Sequence, residues 1–466
     1  MQATEEQQAA ISSDVKVRVI QAFAGTGKTT TLRMLSDRLK GRVLYLAFTK
    51  ANQEEAAGKF PAHVTCKTTH ALAFPTAGKP FRAKLIKTLS LNSIIDALGM
   101  QPDYALAAEI RKTLLAYLAS DAATIEHSVA LDRRGDAAML GAQRVWAMMQ
   151  DPTNATIGML HDGYLKLFQL RRPFLPFEHV LFDEAQDANP VTAAIIAAQG
   201  CAKTYVGDAH QQIYQFRGAQ NAMRAIDGAR FCLTQSWRFG SRVAQVANRI
   251  LAEKGEESMV VGMNGQGDIA PVDTSAPFAT ICRTNAGVFG FAADAAADGE
   301  CLHFVGGVEN YQFDRIADAW SLKSHDLPAV RDSTIRSFGT FEDMKRCAEE
   351  ANDMDLKGLI RAVDTYGDAI PHLIDTIKAC SSGVDRANQT LVTAHRSKGL
   401  EFGQVRLADD FLDLHDYPAL RDDPAQDPEQ LECEINLVYV AATRALKRLQ
   451  PNPKLAAALP SASPTS

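Results

Sequence analysis

The sequence lacks the features that would assign it to several common protein classes. None of its eight cysteines lies in a C-x-x-C pair, so the pattern of a zinc site or of a dithiol redox motif is absent. No apolar run approaches the roughly 20 residues that a membrane-spanning helix needs. The opening stretch, MQATEEQQAA, is polar and acidic, unlike a signal peptide. We therefore expect a soluble cytoplasmic protein, or a nuclear one if the source is eukaryotic, with no membrane partner.

An excess of positive charge is also missing. The formal net charge is −6, so any binding of nucleic acid must come from a local basic or aromatic surface. The chain has 466 residues, of which 46% are hydrophobic and 22% are charged. This length is too great for one ordinary domain, and this composition excludes a disordered chain. The sequence thus predicts two or more globular domains with sizeable cores.

The stretch QAFAGTGKTT (residues 21–30) lacks the first glycine of the phosphate-loop pattern G-x-x-x-x-G-K-[ST], because Ala22 stands in its place. A small residue suffices there if the turn needs no positive φ. The preceding VKVRVI alternates as a strand does, and the following TTTLRMLSDRL has its leucines at helical spacing. A strand–loop–helix context predicts a phosphate cradle. For the motif alone, a glycine-rich turn before a surface helix remains an alternative.

The chemistry of this loop suits a nucleoside triphosphate. Its backbone N–H groups can point at phosphate oxygens, and the helix N-terminus adds a partial positive charge. Lys28 would reach the β- and γ-phosphates, and the Thr29 hydroxyl would help to hold Mg²⁺. The predicted ATP-binding residues of the loop are Ala24, Gly25, Thr26, Gly27, Lys28, Thr29 and Thr30.

A metal-holding acid is predicted by the stretch HVLFDEAQDANP, in which a short apolar strand ends at two carboxylates. Ligands bind at the carboxyl edge of an open α/β sheet, which is where these carboxylates would lie. Asp183 would hold Mg²⁺, and Glu184 would orient and deprotonate the attacking water. The pair D-E alone could be an exposed acidic turn. Together with the loop, it predicts hydrolysis of a nucleoside triphosphate.

The motifs together resemble the superfamily 1 helicases of the UvrD/Rep/PcrA type. The stretches DEAQD, AFAGTGKTTTL, LTQSWRFG and VRLADDF carry the resemblance. Within these helicases, the sequence most resembles the F-box DNA helicase family and its relatives that lack the F-box. It runs in order from Gln7 to Arg444. It implies an α/β fold with two RecA-like doubly wound parallel-sheet domains and helical insertions. It also implies an ATP- and Mg²⁺-dependent DNA helicase or translocase, moving 3′ to 5′ on single-stranded DNA in repair, recombination or replication.

The resemblance assigns further nucleotide contacts outside the loop. Gln7 would bind the adenine edge, Trp237 would stack on the adenine, and Glu401 would bind the ribose. Three side chains would act at the γ-phosphate, one as a sensor and two as arginine fingers: Gln211, Arg238 and Arg444. If the arginines lie on the second domain, ATP would close a cleft and hydrolysis would open it, which would step the protein along a strand.

The same resemblance implies a set of DNA contacts. An aromatic side chain stacked on a base contributes about 1–3 kcal/mol. From the residues alone, the stretch 48–50 could equally be a strand end with a solvated lysine, and His70 could be a packing residue. The predicted DNA-binding residues are Phe48, Thr49, Lys50, Thr69, His70, Tyr214, Phe216, Arg217, Thr393 and His395.

The resemblance also divides the chain. The first RecA-like domain would use 1–85 and 165–236, with a helical insertion (1B) at 86–164. The second would use 237–325 and 388–450, with a reduced helical 2B insertion at 326–387, and 451–466 would be a disordered tail. In HDGYLKLFQLRRP, Tyr164 and Lys166 could meet DNA or belong to an amphipathic core helix.

The small insertion keeps other functions open. One is a single-stranded-DNA-stimulated ATPase that clears proteins and unwinds poorly alone. Another is a nucleotide-gated module that works only with a protein partner. Salt dependence of DNA binding would separate a strand-binder from a partner module, because phosphate contacts weaken steeply with salt.

Overall fold

Two compact units make up the chain in the computed structural model, which describes residues 2–101, 103–126, 135–214, 222–350 and 353–459. Unit 1 comprises Met1–Phe23 and Gly27–Leu233, and unit 2 comprises Ala24–Thr26 and Thr234–Ser466. Each unit contains a six-stranded sheet in which the paired strands run parallel. The predicted α/β class, with two RecA-like parallel-sheet domains, is confirmed.

The sheet of unit 1 has the strand order β3-β2-β6-β7-β1-β8. Its central strands are largely buried and mostly apolar, as expected for a parallel sheet covered on both faces. Strands β4 and β5 form a separate two-stranded sheet. They lie directly before and after the helices of residues 87–158 in the chain. The strands are β1 (Val17–Ala22), β2 (Val43–Ala47), β3 (Val64–Thr68), β4 (Leu85–Ile86), β5 (Met159–Leu160), β6 (His179–Phe182), β7 (Ala202–Gly207) and β8 (Ala229–Leu233).

The helices of unit 1 pack with the sheet in two apolar clusters, a large one and a smaller one that includes Ile11, Leu32 and Leu35 of the first two helices. In helix Tyr104–Ala119, the side chains of Ile110, Leu114 and Tyr117 are buried against the helix that carries Val145 and Trp146. The α-helices are Glu5–Ser12, Lys28–Ser36, Lys50–Ala57, Thr69–Ala73, Leu91–Leu98, Tyr104–Ala119, Asp136–Gln150, His161–Leu170, Pro190–Ala197 and Ala222–Ala225.

Helix His161–Leu170 turns its predicted DNA-facing residues inward. Tyr164 is 3% exposed and Lys166 is fully buried. The Lys166 ammonium donates to the carbonyls of Ser120 and Ala122 at 2.8 and 2.5 Å, just past the C-terminus of helix Tyr104–Ala119. Burial lowers the pKa of Lys166 to about 8. The core-helix alternative is therefore right for these two residues.

The sheet of unit 2 has the strand order β11-β16-β15-β12-β14-β13, and β9 pairs with β10 beside it. Its strands are β9 (Gln235–Ser236), β10 (Val261–Gly262), β11 (Asp268–Ile269), β12 (Phe278–Cys282), β13 (Leu302–Phe304), β14 (Gln389–Thr393), β15 (Phe402–Leu407) and β16 (Ala445–Gln450).

The helices of unit 2 include those of the predicted small insertion. Phe341 and Leu359, from 326–387, share one apolar core with Phe289 of the helix after β12. No helix in the described parts of either unit is long and apolar enough to cross a membrane. The α-helices are Ser241–Glu253, Asn285–Ala297, Asp314–Lys323, Ser333–Ser337, Phe341–Glu350, Met354–Tyr366, Ile370–Cys380, Ala394–Ser397, Tyr417–Arg421, Pro428–Ala442 and Pro453–Ala458.

The prediction of a disordered tail at 451–466 is wrong for the first half of that segment. Residues 453–458 form a helix, and Asn452 caps it by accepting from the Leu455 N–H at 2.8 Å. Asn452 also donates to the Ala408 carbonyl, and Leu455 is 2% exposed. A cap and one buried leucine tie this segment to the unit. Residues 460–466 lie outside the described part of the chain.

Candidate active site

Except for Gln7, the predicted nucleotide residues of unit 1 follow the carboxyl ends of neighbouring strands. Because the strands are parallel, these ends share one edge of the sheet, where ligands bind in open α/β folds. β1 leads into the phosphate loop, β6 leads into Asp183, and β7, which lies between them, leads into Asp208. The sheet order therefore brings together stretches that are far apart in the sequence.

The phosphate loop tolerates Ala22 because that position belongs to a strand. Ala22 pairs with Leu233 as the last residue of β1 and has a negative φ. The positive φ values of the loop belong to Gly25 (75°) and Gly27 (82°). Glycine adopts a positive φ at little cost, because it has no Cβ. Helix Lys28–Ser36 begins directly after Gly27.

Within unit 2, the loop residue Gly25 contacts the stretch that follows β9. The Trp237 N–H donates to the Gly25 carbonyl at 2.9 Å. A Cβ at Gly25 would lie 2.4 Å from Cβ of Arg238 and 2.6 Å from the Ser236 hydroxyl. Glycine is therefore required here by close approach as well as by its positive φ.

Asp183 is a buried carboxylate, 3% exposed, with donors on both oxygens. Its Oδ2 accepts from the Thr29 hydroxyl at 2.9 Å and from the Tyr45 hydroxyl at 2.6 Å, and its Oδ1 accepts from the Glu184 N–H at 2.9 Å. Burial, with the neighbouring Glu184 charge, raises the pKa of Asp183 above its ordinary value, and these donors and Lys28 oppose the shift. Sequence reasoning missed Tyr45 altogether.

Glu184 lies between a cation and an amide. Lys28 Nζ is 3.5 Å from Glu184 Oε1, and Gln186 Nε2 donates to Glu184 Oε2 at 2.6 Å. The backbone of Glu184 is left-handed, with φ 52°, a conformation that costs a non-glycine residue about 1–3 kcal/mol. Strain of this size persists only where the surroundings hold it, and the contacts with Lys28 and Gln186 place the carboxylate beside the start of helix Lys28–Ser36.

Gln186 connects Glu184 to the next strand. It is fully buried, and its Oε1 accepts from the Asp208 N–H at 3.1 Å. A Cβ at Gly207 would lie 2.2 Å from that same Oε1, so the glycine makes room for the amide. Asp208 Oδ2 in turn accepts from Gln211 Nε2 at 2.7 Å. The only sequence signal for this link was the glutamine inside DEAQD.

Gln7 lies next to the loop with its amide engaged by the protein. Its Nε2 donates to the Thr31 hydroxyl at 3.1 Å, and its Oε1 accepts from the Thr4 N–H at 3.1 Å. The second contact is half of a capping box at the start of helix Glu5–Ser12. An adenine contact by Gln7 would have to share or replace one of these bonds.

Two predicted DNA contacts lie together on unit 1. The rings of Phe48 and Tyr214 stack with centroids 5.7 Å apart and an interplanar angle of 20°. Thr49 caps helix Lys50–Ala57, and Lys50 Nζ lies 3.2 Å from Glu54 Oε1 on the surface. The predicted contacts Phe216 and Arg217 lie outside the described residues.

Helix Thr69–Ala73, which carries the predicted DNA contacts Thr69 and His70, packs against helix His161–Leu170. Thr69 is 7% exposed. His70 Nε2 lies 3.0 Å from Asp162 Oδ1, and its ring meets the edge of the Tyr164 ring at 5.9 Å. Since the His70 side chain is still 41% exposed, it packs on one side and is open to solvent on the other.

In unit 2, two predicted nucleotide contacts bind each other. Arg238 Nε donates to Glu401 Oε1 at 2.7 Å, and Trp237 beside it is 46% exposed. Arg444 is 1% exposed, and its guanidinium donates to the carbonyls of Val440 and Leu400. Carbonyls at a helix C-terminus favour a cation, which accounts for this position.

Two pairs of predicted site residues in unit 2, one for DNA and one for the nucleotide, lie at opposite edges of its six-stranded sheet. Thr393 ends β14 and is 5% exposed, and half-buried His395 follows it. Glu401 and Arg444 immediately precede the adjacent strands β15 and β16. Parallel strands place these two pairs of residues at the carboxyl and amino edges respectively.

Comparison with known proteins finds two matching domain families. The UvrD/REP helicase N-terminal domain matches residues 169–225, and the UvrD-like helicase C-terminal domain matches residues 329–450. The chain is 32% identical to F-box DNA helicase 1 of Gallus gallus over 96% of its length. It is 30% identical to F-box DNA helicase protein 1 of Schizosaccharomyces pombe over 93% of its length.

The chain spans about half the length of these two relatives, 48% of the first and 55% of the second. A shorter match, 36% identical over 21% of this chain and 16% of the relative, is to DNA helicase IV of Escherichia coli.

Proposed function

We propose that the chain is an ATP-dependent DNA helicase or translocase, because it matches both the N-terminal and the C-terminal domain models of the UvrD-like helicases, at residues 169–225 and 329–450. The convergence of Lys28, Thr29, Asp183 and Glu184 at one sheet edge carries the proposal. A cation, a hydroxyl and two carboxylates beside a phosphate loop are what hydrolysis of a nucleoside triphosphate needs. The 3′ to 5′ direction, and a role in repair, recombination or replication, rest on the family resemblance.

The residues present fit ATP with Mg²⁺. Thr29 Oγ1 and Asp183 Oδ2, 2.9 Å apart, are oxygen donors of the kind that Mg²⁺ prefers, and they would hold it. When bound, the ion would neutralise charge on the phosphates. Lys28 would leave Glu184 for the phosphate oxygens, which frees Glu184 to accept a proton from the attacking water.

The remaining assignments are proposals of the same kind. Gln7, Trp237 and Glu401 would bind the nucleoside. Gln211, Arg238 and Arg444 would act at the γ-phosphate. The Arg238–Glu401 pair would have to open for both side chains to serve ATP.

Strand displacement tests the proposal most directly. Short duplexes with either a 3′ or a 5′ single-stranded tail would be incubated with ATP and Mg²⁺, with Lys28→Ala as the inactive control. We expect displacement from the 3′ tail only. Displacement by Lys28→Ala at the wild-type rate would contradict the assigned site.

A second function is favoured by the packing of unit 2. The helices within 326–387 share a core with helix Asn285–Ala297, so they are part of the body of that unit. This supports a single-stranded-DNA-stimulated ATPase that clears proteins or needs a protein partner to unwind. No displacement from either tail, with ATP hydrolysis still stimulated by single strands, would select it.

The stacked pair of rings gives a prediction for DNA binding. Tyr214→Ala removes one ring of the Phe48–Tyr214 stack. We expect it to weaken binding of single-stranded DNA by about 1–3 kcal/mol, because one base loses its stacking partner. Fluorescence anisotropy with a labelled oligonucleotide measures this loss.

Tyr214→Phe is the matched control, because it keeps the ring and should bind DNA as the wild type does. Basal ATP hydrolysis should stay unchanged in both variants. An equal loss of DNA affinity in both would show that the hydroxyl, and not stacking, is what matters.

A further inference from the structure

Tyr45 places a phenol beside the predicted metal-holding acid. It lies in the middle of β2, is 1% exposed, and pairs in register with Cys66 of β3 and Leu181 of β6. Its ring packs against Phe60, with centroids 4.6 Å apart. The hydroxyl donates to Asp183 Oδ2 at 2.6 Å, a short bond of the kind made to a charged acceptor. The strand and the ring packing thus fix where this donor points.

Two hydroxyls donate to the same oxygen of Asp183. Thr29 and Tyr45 both bond Oδ2, at 2.9 and 2.6 Å. If Mg²⁺ takes the Thr29 oxygen as a ligand, the Thr29 bond to Asp183 has to be rearranged. The Tyr45 bond can stay, because its ring is 1% exposed and is held by packing against Phe60. A buried carboxylate needs such a donor to keep its charge and its rotamer.

We propose that Tyr45 is a positioning residue for the metal site, whose hydroxyl holds the Asp183 carboxylate in the orientation that binds Mg²⁺. The inference rests on the proposed function, because it assumes that Asp183 serves Mg²⁺ with ATP. Partners that orient a metal ligand tune affinity through the ligand's geometry and basicity. Tyr45 therefore acts through Asp183 and touches neither the nucleotide nor the reacting atoms.

The test compares two tyrosine-to-phenylalanine variants. Tyr45→Phe removes the donor and keeps the ring. Tyr205→Phe is the matched control, since Tyr205 lies in β7, two strands from β2 in the same sheet, is 5% exposed, and has no hydrogen bond to a carboxylate within the described part of the chain. Binding of a fluorescent ATP analogue would be titrated with Mg²⁺ at equilibrium, and hydrolysis would be titrated in parallel. Thermal unfolding would check that both variants are folded.

We expect Tyr45→Phe to raise the half-saturating Mg²⁺ concentration by about tenfold or more, as loss of such a partner does. Binding of the analogue in EDTA should be unchanged, and Tyr205→Phe should follow the wild type in every measurement. A wild-type Mg²⁺ curve in Tyr45→Phe would overturn the inference. So would an equal loss of binding with and without Mg²⁺, which would show a purely structural role.

Failure of the proposed function gives a different result. In that case the wild type itself would not hydrolyse ATP under any condition. The equilibrium binding titration would still decide whether Tyr45 affects Mg²⁺.

Discussion

Glu184→Gln is expected to slow ATP hydrolysis by about 10²–10⁴-fold, because it removes the group that accepts a proton from water. The substitution preserves volume and leaves an amide between Lys28 and Gln186. Lys28 loses its ion pair and becomes more available to phosphate oxygens. Nucleotide binding should therefore be retained or slightly strengthened. Steady-state phosphate release gives the rate, and a fluorescent ATP analogue gives the affinity.

Glu178→Gln is the matched control for that variant. Glu178 is exposed and precedes β6, at the opposite edge of the sheet from the phosphate loop. It should hydrolyse ATP at the wild-type rate. Normal turnover by Glu184→Gln would remove Glu184 from the role of general base and leave the water to be activated by another group.

Arg238→Ala is expected to lower the turnover number by about 10³–10⁵-fold, the range for an arginine that stabilises the transition state of phosphoryl transfer. In the structure its guanidinium is held by Glu401 at 2.7 Å. Once ATP is bound, we expect it to act at the γ-phosphate. The loss should fall mainly on kcat, because the interaction strengthens in the transition state. ATP hydrolysis at saturating single-stranded DNA measures it.

Two further variants make this result specific. Arg242→Ala removes a nearby arginine whose partner, Asp268, lies 3.9 Å away on the surface, and it should leave kcat unchanged. Glu401→Gln removes the partner of Arg238 and should raise KM for ATP through loss of the ribose contact. If Arg238→Ala lowered kcat by less than tenfold, Arg238 would be a structural partner of Glu401 and not a finger.

Local patterns predicted the strand–loop–helix around Lys28 and the acidic turn after β6. Both depend on neighbours in the chain: alternation before the loop, helical spacing after it, and a short apolar run before Asp183. The fold class was implied by the family resemblance and is confirmed. The alanine at position 22 was predicted to be tolerable, and its place in β1 explains why.

Other predictions failed or could not be made because they depend on packing. The inward orientation of Lys166 depends on two carbonyls some 45 residues earlier in the chain, separations of 46 and 44 residues. The helix at 453–458 is ordered by a cap and one buried leucine in a stretch rich in alanine. Such single contacts leave no periodic trace in a sequence.

The sequence by itself determined the chemistry of the candidate site: which residues can cradle phosphate, hold a cation and accept a proton. Local geometry suffices for these, because the loop, the helix start and the strand end are made by consecutive residues. Only the tertiary structure decided which partners each group has. Tyr45 meets Asp183 across 138 residues, and Arg238 meets Glu401 across 163. The register of parallel strands and the packing between them set those distances, and neither can be read from residues that are neighbours in the chain.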